Sequence, residues 1–135
     1  MIAYSTRRFA FAAGHHYAVD AWSPERNEQV FGRLMVPHGH NYTLDVTVRG
    51  PIDPETGMVI DLGELKALVG ETIVARFDHA DLNADPAFRG RVPTTENIAI
   101  VVWDLLRAKL GEERLWQVRV WEDPTLFVDY RGSGT

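Results

Sequence analysis

Thr43-Leu44-Asp45-Val46-Thr47-Val48 puts an apolar side chain at every second position. That two-residue period marks a strand with one face in a core. The run ends at Gly50-Pro51, and the cluster Asp53-Pro54-Glu55-Thr56-Gly57 reads as a turn. Met58-Val59-Ile60 then resumes an apolar run, so a hairpin is expected here. Upstream, Phe9, Phe11 and Ala13 alternate with Arg8, Ala10 and Ala12, and His15 continues the Phe face if that strand runs straight. Between these strands, Tyr17 to Pro37 has no clear periodicity and reads as a long functional loop closed by His38-Gly39-His40.

Downstream the period changes. Asp61 is a good N-cap with Glu64 three positions on, and Leu65, Leu68, Val69 and Ile73 form a helical stripe that should stop near Phe77. A second helix is expected after Pro93, capped by Thr94 or Thr95, with Ile98, Val101, Val102, Leu105 and Leu110 on its apolar face and Lys109 and Gly111 at its end. Val118 and Val120 then alternate with Gln117, Arg119 and Trp121, and Phe127 to Tyr130 makes a partner strand across Asp123-Pro124. The expected order is β-β-β-α-α-β-β. Strands that pair as hairpins and helices that come together point to an α+β fold, an antiparallel sheet with two helices on one face.

A length of 135 residues fits a single domain over 1–135, and 45% hydrophobic with 24% charged residues is ordinary globular composition. The net charge of −5 argues against nucleic acid as a partner, and an anionic small substrate would need a local cluster drawn from the 14 Lys and Arg residues. With no cysteine, disulfides, thiol nucleophiles and Cys-type zinc sites are excluded, so any metal sits on His and carboxylates. No stretch approaches the length of a membrane span, and the N-terminus lacks a leader-like apolar core. A cytoplasmic protein is expected.

In an extended segment the spacing of His38 and His40 puts both side chains on one face, about 7 Å apart along the chain. Catalytic zinc takes three protein ligands and keeps one position open, and His15 is the natural third. Spacing alone also fits a surface accident or a hydrogen-bonded structural pair. His16, on a strand, faces away from His15. Asp78-His79 follows the first helix, where Asp can orient an imidazole for proton transfer or both can satisfy loop backbone groups. Glu122 shares the parity of Val118 and Val120 and so needs donors: a flat heterocycle with an amino group and a ring N–H, or Arg119 or Arg131. Thr94, Thr95 and Glu96 stand at the helix start, where capping or ligand contacts explain them.

Six blocks in order carry a resemblance: Phe11-Ala-Ala-Gly-His15, His38-Gly-His-Asn-Tyr42, Gly57-Met-Val-Ile-Asp61, Phe77-Asp-His-Ala-Asp-Leu-Asn83, Pro93-Thr-Thr-Glu-Asn97 and Val118-Arg-Val-Trp-Glu122. Together they resemble the 6-pyruvoyl-tetrahydropterin synthase and 6-carboxy-tetrahydropterin synthase family. The resemblance implies the tunnelling fold, in which subunits join their four-stranded antiparallel sheets into a barrel with helices outside, commonly as a hexamer with active sites between subunits. It further implies zinc on His15, His38 and His40, a pterin ring anchored by Glu122, a proton relay of Asp78 and His79, and a pocket lined by Thr94, Thr95 and Glu96. The usual substrate of the family is 7,8-dihydroneopterin triphosphate.

The chain departs from the family at the catalytic cysteine, whose position is Leu34 in Phe31-Gly-Arg-Leu34. A subgroup that carries Glu there or beside it is not matched either, since Met35 follows. A positioned acid–base group is typically worth about 10²–10⁴-fold. His79 is the first choice for the base, with Glu28 or Glu25 of the preceding loop as substitutes. The expectation is a zinc-dependent lyase acting on a dihydropterin side chain, giving a 6-pyruvoyl, 6-carboxy or 6-hydroxymethyl product. The alternative is a zinc- and pterin-binding paralogue that lost turnover with the cysteine.

Overall fold

The computed structural model describes residues 1–133, so the last two residues of the expected domain, 134 and 135, lie outside the described ones. The chain forms β1 (Ile2–His15), α1 (Pro24–Phe31), β2 (His38–Pro51), α2 (Leu62–Val69), α3 (Ala75–Phe77), β3 (Ala80–Asp81), α4 (Thr95–Leu110), β4 (Leu115–Asp123) and β5 (Leu126–Tyr130). The alternating stretch around Leu44 is the middle of β2, the central strand of a sheet in the order β3-β1-β2-β4-β5. β1 runs antiparallel to β2 from Ile2 opposite Pro51 to His15 opposite His38, and β4 lies antiparallel on the other side. The fold is α+β, as expected.

The inner face of the sheet is apolar because the two-residue period keeps Phe11, Ala13, Leu44, Val46, Val48, Val118 and Val120 on one side, all buried. Leu65, Val69, Ile73 and Phe77 of the first helical segment and Ile98, Val102 and Leu106 of α4 complete the same core. Each large apolar side chain buried this way contributes about 1.5–3 kcal/mol. Asp61 Oδ1 accepts from Glu64 N at 3.0 Å and Thr94 Oγ1 from Asn97 N at 3.1 Å, so the helices start at the expected caps. The first helix does reach Phe77, but by way of a π-helical turn, Gly70–Val74, that joins α2 to α3.

The opposite face of the sheet carries a polar ladder. Arg8 grips Asp45 with two bonds of 2.8 and 3.1 Å, Trp121 Nε1 donates to the same carboxylate at 3.0 Å, and Arg119 pairs with Asp129. Among the described residues no helix is long and apolar enough to cross a membrane.

Three expectations are corrected. Met58-Val59-Ile60 is not a strand, because β2 has β1 on one edge and β4 on the other and offers a hairpin partner no vacant ladder. The run instead leads Ile60 into the core. Among the described residues the sheet has five strands rather than four, since β3 adds a two-residue parallel pairing to the end of β1 at Ala13 and Gly14. The segment Tyr17 to Pro37 is not an irregular loop: it holds α1 and a 3₁₀ turn, Gly32–Met35. Ser23 caps α1, and buried Asn27 ties the helix back by accepting from Val19 N at 2.8 Å and donating to Val19 O at 3.1 Å.

Candidate functional site

The β1–β2 register brings the histidines together. His15 stands directly opposite His38 and Ala13 opposite His40, so all three imidazoles lie on the inner face at one end of the sheet. Ala13 is small enough to leave the space beside His40 to the rings. On the other face the strands come close at Gly14 and Gly39, where a Cβ on Gly39 would lie 3.3 Å from the Ala13 carbonyl oxygen. Ring centroids are 4.5 Å apart for His15 and His38, 5.1 Å for His15 and His40, and 5.2 Å for His38 and His40. Each residue offers one nitrogen, and these all lie within 4.8 Å of one another.

Backbone carbonyls orient two of the rings. His15 Nδ1 donates to Pro93 O at 2.7 Å, with Tyr42 Oη 3.3 Å from the same nitrogen, and His38 Nδ1 donates to Val36 O at 2.7 Å. A proton on Nδ1, assigned from these bonds, leaves Nε2 as a lone pair. His15 Nε2 is buried and has no hydrogen-bond partner, a state that costs free energy unless something occupies its lone pair. Burial, chiefly, holds the His15 imidazole down to about 4, with His38 and His40 adding to the effect against the Pro93 bond. The ring is therefore neutral at pH 7, the state a metal ligand needs. A trio of imidazoles with no thiolate or carboxylate suits a borderline ion such as zinc, and backbone carbonyls on the far ring nitrogens are the usual support of such ligands.

Glu122 joins this cluster from β4. Its Oε1 lies 3.5 Å from His40 Nε2 and accepts from Thr95 Oγ1 at 3.3 Å. Neither arginine considered from the sequence holds it: Arg119 pairs with Asp129, and Arg131 Nε donates to Gln117. Tyr17 packs edge-on against His15 at 5.1 Å, and its backbone N–H donates to Leu34 O at 2.8 Å. Burial, reinforced by Glu122 and Glu96, pushes its phenol up to about 12. Thr94 is engaged as the cap of α4, and Glu96 is exposed in the first turn of that helix.

Asp78 and His79 sit on the open side. His79 lines a cleft of about 790 Å³ together with His15, His38 and His40, and its side chain is 83% exposed. The two neighbours bond directly, His79 Nδ1 lying 3.0 Å from Asp78 Oδ2, which sequence adjacency argues against. The reason is local: His79 adopts a left-handed φ of 59°, which turns its side chain back on Asp78. Asp78 also accepts from Ala12 N at 2.8 Å, and His79 N donates to Ala12 O at 2.5 Å, so the pair closes the edge of β1 as well. The Ala12 N–H, then His79, hold the Asp78 carboxyl below its ordinary value.

Sequence reasoning did not find Tyr17, Tyr42, Asn83 or the Pro93 carbonyl. Asn83 holds the segment after His15, accepting from His16 N and donating to His16 O, both at 2.9 Å, and His16 stays out of the imidazole trio. The parity of Tyr42 with His38 and His40 was the one available signal. Glu25 and Glu28 are exposed on α1, and among the described residues no hydrogen bond joins them to the cluster.

The family model for 6-pyruvoyl tetrahydropterin synthase matches residues 4–133 of the chain. The 6-pyruvoyl tetrahydrobiopterin synthase of Drosophila melanogaster is 42% identical over 135 residues, which covers 97% of this chain and 80% of that protein. The Homo sapiens protein of the same name is 42% identical over 131 residues, covering 95% and 90%. The structure of Caenorhabditis elegans 6-pyruvoyl tetrahydropterin synthase matches with a TM-score of 0.93 at 33% identity, covering 98% of this chain and 97% of that one.

Proposed function

The chain belongs to the 6-pyruvoyl tetrahydropterin synthase family, and from that premise we propose that it is a zinc-dependent lyase acting on the side chain of a 7,8-dihydropterin. In the first reading it converts 7,8-dihydroneopterin triphosphate to the 6-pyruvoyl compound with loss of inorganic triphosphate. The single observation that carries the metal-dependent reading is the buried, unpartnered Nε2 of His15 within 4.8 Å of nitrogens from His38 and His40. Those three residues would hold the ion, which supplies Lewis acidity toward oxygens of the substrate side chain.

The remaining roles follow from the side chains around it. Glu122 anchors the pterin: its Oε1 is engaged by Thr95, and Oε2 is left to accept from the ring N–H and amino group. Thr94 and Glu96, flanking Thr95, are assigned to the same pterin pocket as part of this proposal. His79, oriented by Asp78 and open to the cleft, moves the proton. Leu34 is half-exposed beside Tyr17 and offers no acid–base group, which is why His79 takes that part alone unless Glu28 or Glu25 folds in. A homo-oligomer, in the first instance a hexamer with sites between subunits, and a cytoplasmic setting belong to the same proposal. Its support is that β5 and the first ten residues of β1 leave open sheet edges, which barrel closure would pair.

Leu34 also favours a second reading, a pterin-binding paralogue without turnover. Incubating zinc-loaded protein with 7,8-dihydroneopterin triphosphate, and separately with the dephosphorylated compound, decides between them when products are identified by mass spectrometry. A 6-pyruvoyl product with equimolar triphosphate supports the lyase. Bound but unchanged pterin supports the paralogue, and no binding of either compound ends both readings.

A further inference from the structure

The imidazole cleft is poorly equipped for the most highly charged part of a phosphorylated substrate. Its lining includes no lysine or arginine, and the chain as a whole carries a net charge of −5. Apart from the ion that the three imidazoles would hold, a polyphosphate seated there would meet Asp81 and backbone rather than a lysine or arginine. The nearest answer lies in a second, narrower cavity of about 500 Å³ that shares His16 with the cleft and is bounded by Arg89, Arg91, Asp20, Asp85 and Asn83.

Two features make this groove cationic. Asp85 is already neutralised: Arg76 grips it with bonds of 2.9 and 2.7 Å, and Ala87 N donates to it at 2.9 Å. Arg89 and Arg91, both exposed, have no ion pair among the described residues, so two guanidinium groups stand against the single carboxylate of Asp20. They project from a fixed frame. Phe88 is buried against Phe77, and Arg91 N donates to Phe88 O at 2.9 Å across a type II turn with Arg89 at φ −62°, ψ 121° and Gly90 at φ 75°. The same strip of chain serves the metal centre. Two residues after Arg91, the Pro93 carbonyl accepts from His15, and His16 is tied to Asn83 on the groove's other wall.

We propose that this Arg89–Arg91 groove is a polyphosphate subsite, continuous through His16 with the imidazole cleft, which takes the triphosphate chain of the substrate or the inorganic triphosphate released from it. The inference rests on the lyase reading and deepens it: the substrate is a phosphorylated pterin, and part of its binding is electrostatic. Guanidinium forks match phosphate oxygens two at a time, which is why a pair of them at a rigid turn is suited to this anion. Because the groups are exposed, the attraction is screened and weakens as salt rises.

Titration calorimetry of the zinc-loaded protein with sodium tripolyphosphate and, separately, with 7,8-dihydroneopterin tests the assignment. Tripolyphosphate is expected to bind the wild type and to lose tenfold or more in affinity in Arg89→Ala/Arg91→Ala, whereas the phosphate-free pterin loses less than twofold. Arg89→Lys/Arg91→Lys should recover part of the loss, which separates charge from folding. Equal tripolyphosphate affinity in wild type and double alanine variant, or no tripolyphosphate binding to the wild type, overturns the subsite. Failure of 7,8-dihydroneopterin to bind the wild type while tripolyphosphate still discriminates the variants refutes the pterin reading and leaves the anion groove standing.

Discussion

Replacing Glu122 by glutamine changes one oxygen for an amide in a side chain that is 15% exposed. In the wild-type site Oε1 accepts from Thr95 at 3.3 Å and lies 3.5 Å from His40, which leaves Oε2 and its lone pairs for the proposed bonds from the pterin amino group and ring N–H. Both bonds to the heterocycle are charge-assisted, worth about 1.5–3 kcal/mol each against about 1 kcal/mol for a neutral bond. Glutamine keeps one acceptor, loses the charge, and turns an N–H toward a donor. The expected loss is about 2–4 kcal/mol, or roughly 30- to 1000-fold in dissociation constant. Thr95 still finds an acceptor in glutamine, so stability should change by less than about 1 kcal/mol. Fluorescence titration with 7,8-dihydroneopterin, beside thermal melts and zinc content of the same samples, reads these quantities separately. An affinity within threefold of wild type in a folded, zinc-replete Glu122→Gln protein would refute the role given to this carboxylate.

Tyr42→Phe removes the hydroxyl 3.3 Å from His15 Nδ1 and should weaken zinc affinity by about 10-fold, the lower end for supporting groups, as measured by competition with a chelator. His79→Ala should lower turnover by about 10²–10⁴-fold with metal content unchanged, and equal loss of metal would move His79 from proton transfer to ligation. Glu28→Gln at full zinc occupancy should leave turnover within twofold if His79 acts alone. At Asp45, burial acts to raise the carboxyl, but the bonds from Arg8 and Trp121 outweigh it and its folded value lies below the ordinary 3.8. Its contribution is thus fully present well above pH 3.8 and disappears as pH falls through the depressed folded value. Urea melts of Asp45→Asn should show a shallower loss of stability below that pH than wild type, and parallel curves would contradict the linkage.

The elements legible in the sequence are those whose period survives into the fold. Leu44, Val46 and Val48 alternate because β2 has one face on the helices, and Ile98, Val102 and Leu106 recur because α4 covers that face. α1 escaped notice since its only buried residue is a polar one, Asn27, whose side chain bonds the backbone of Val19 and Ser23 and leaves no apolar stripe. Met58 to Ile60 looked like a strand because its composition is right, and only the topology, with both edges of β2 occupied, rules it out.

The site divides in the same way. Parity along β1 and β2 put His15, His38 and His40 on one face, and the register did the rest. The direct bond between Asp78 and His79 depends on a left-handed backbone at a non-glycine residue, which no side-chain pattern encodes. The Pro93 carbonyl that orients His15 is a backbone group 78 positions away, equally silent in the sequence.

Metal content per chain, measured by plasma mass spectrometry after equilibration with zinc and removal of the excess, bears most directly on the convergence of the three imidazoles. The wild type should hold one ion per chain, and His15→Ala and His38→Ala, each folded by circular dichroism, should hold none. One ion retained by His15→Ala, or none taken up by the wild type, would contradict a metal centre built on these rings.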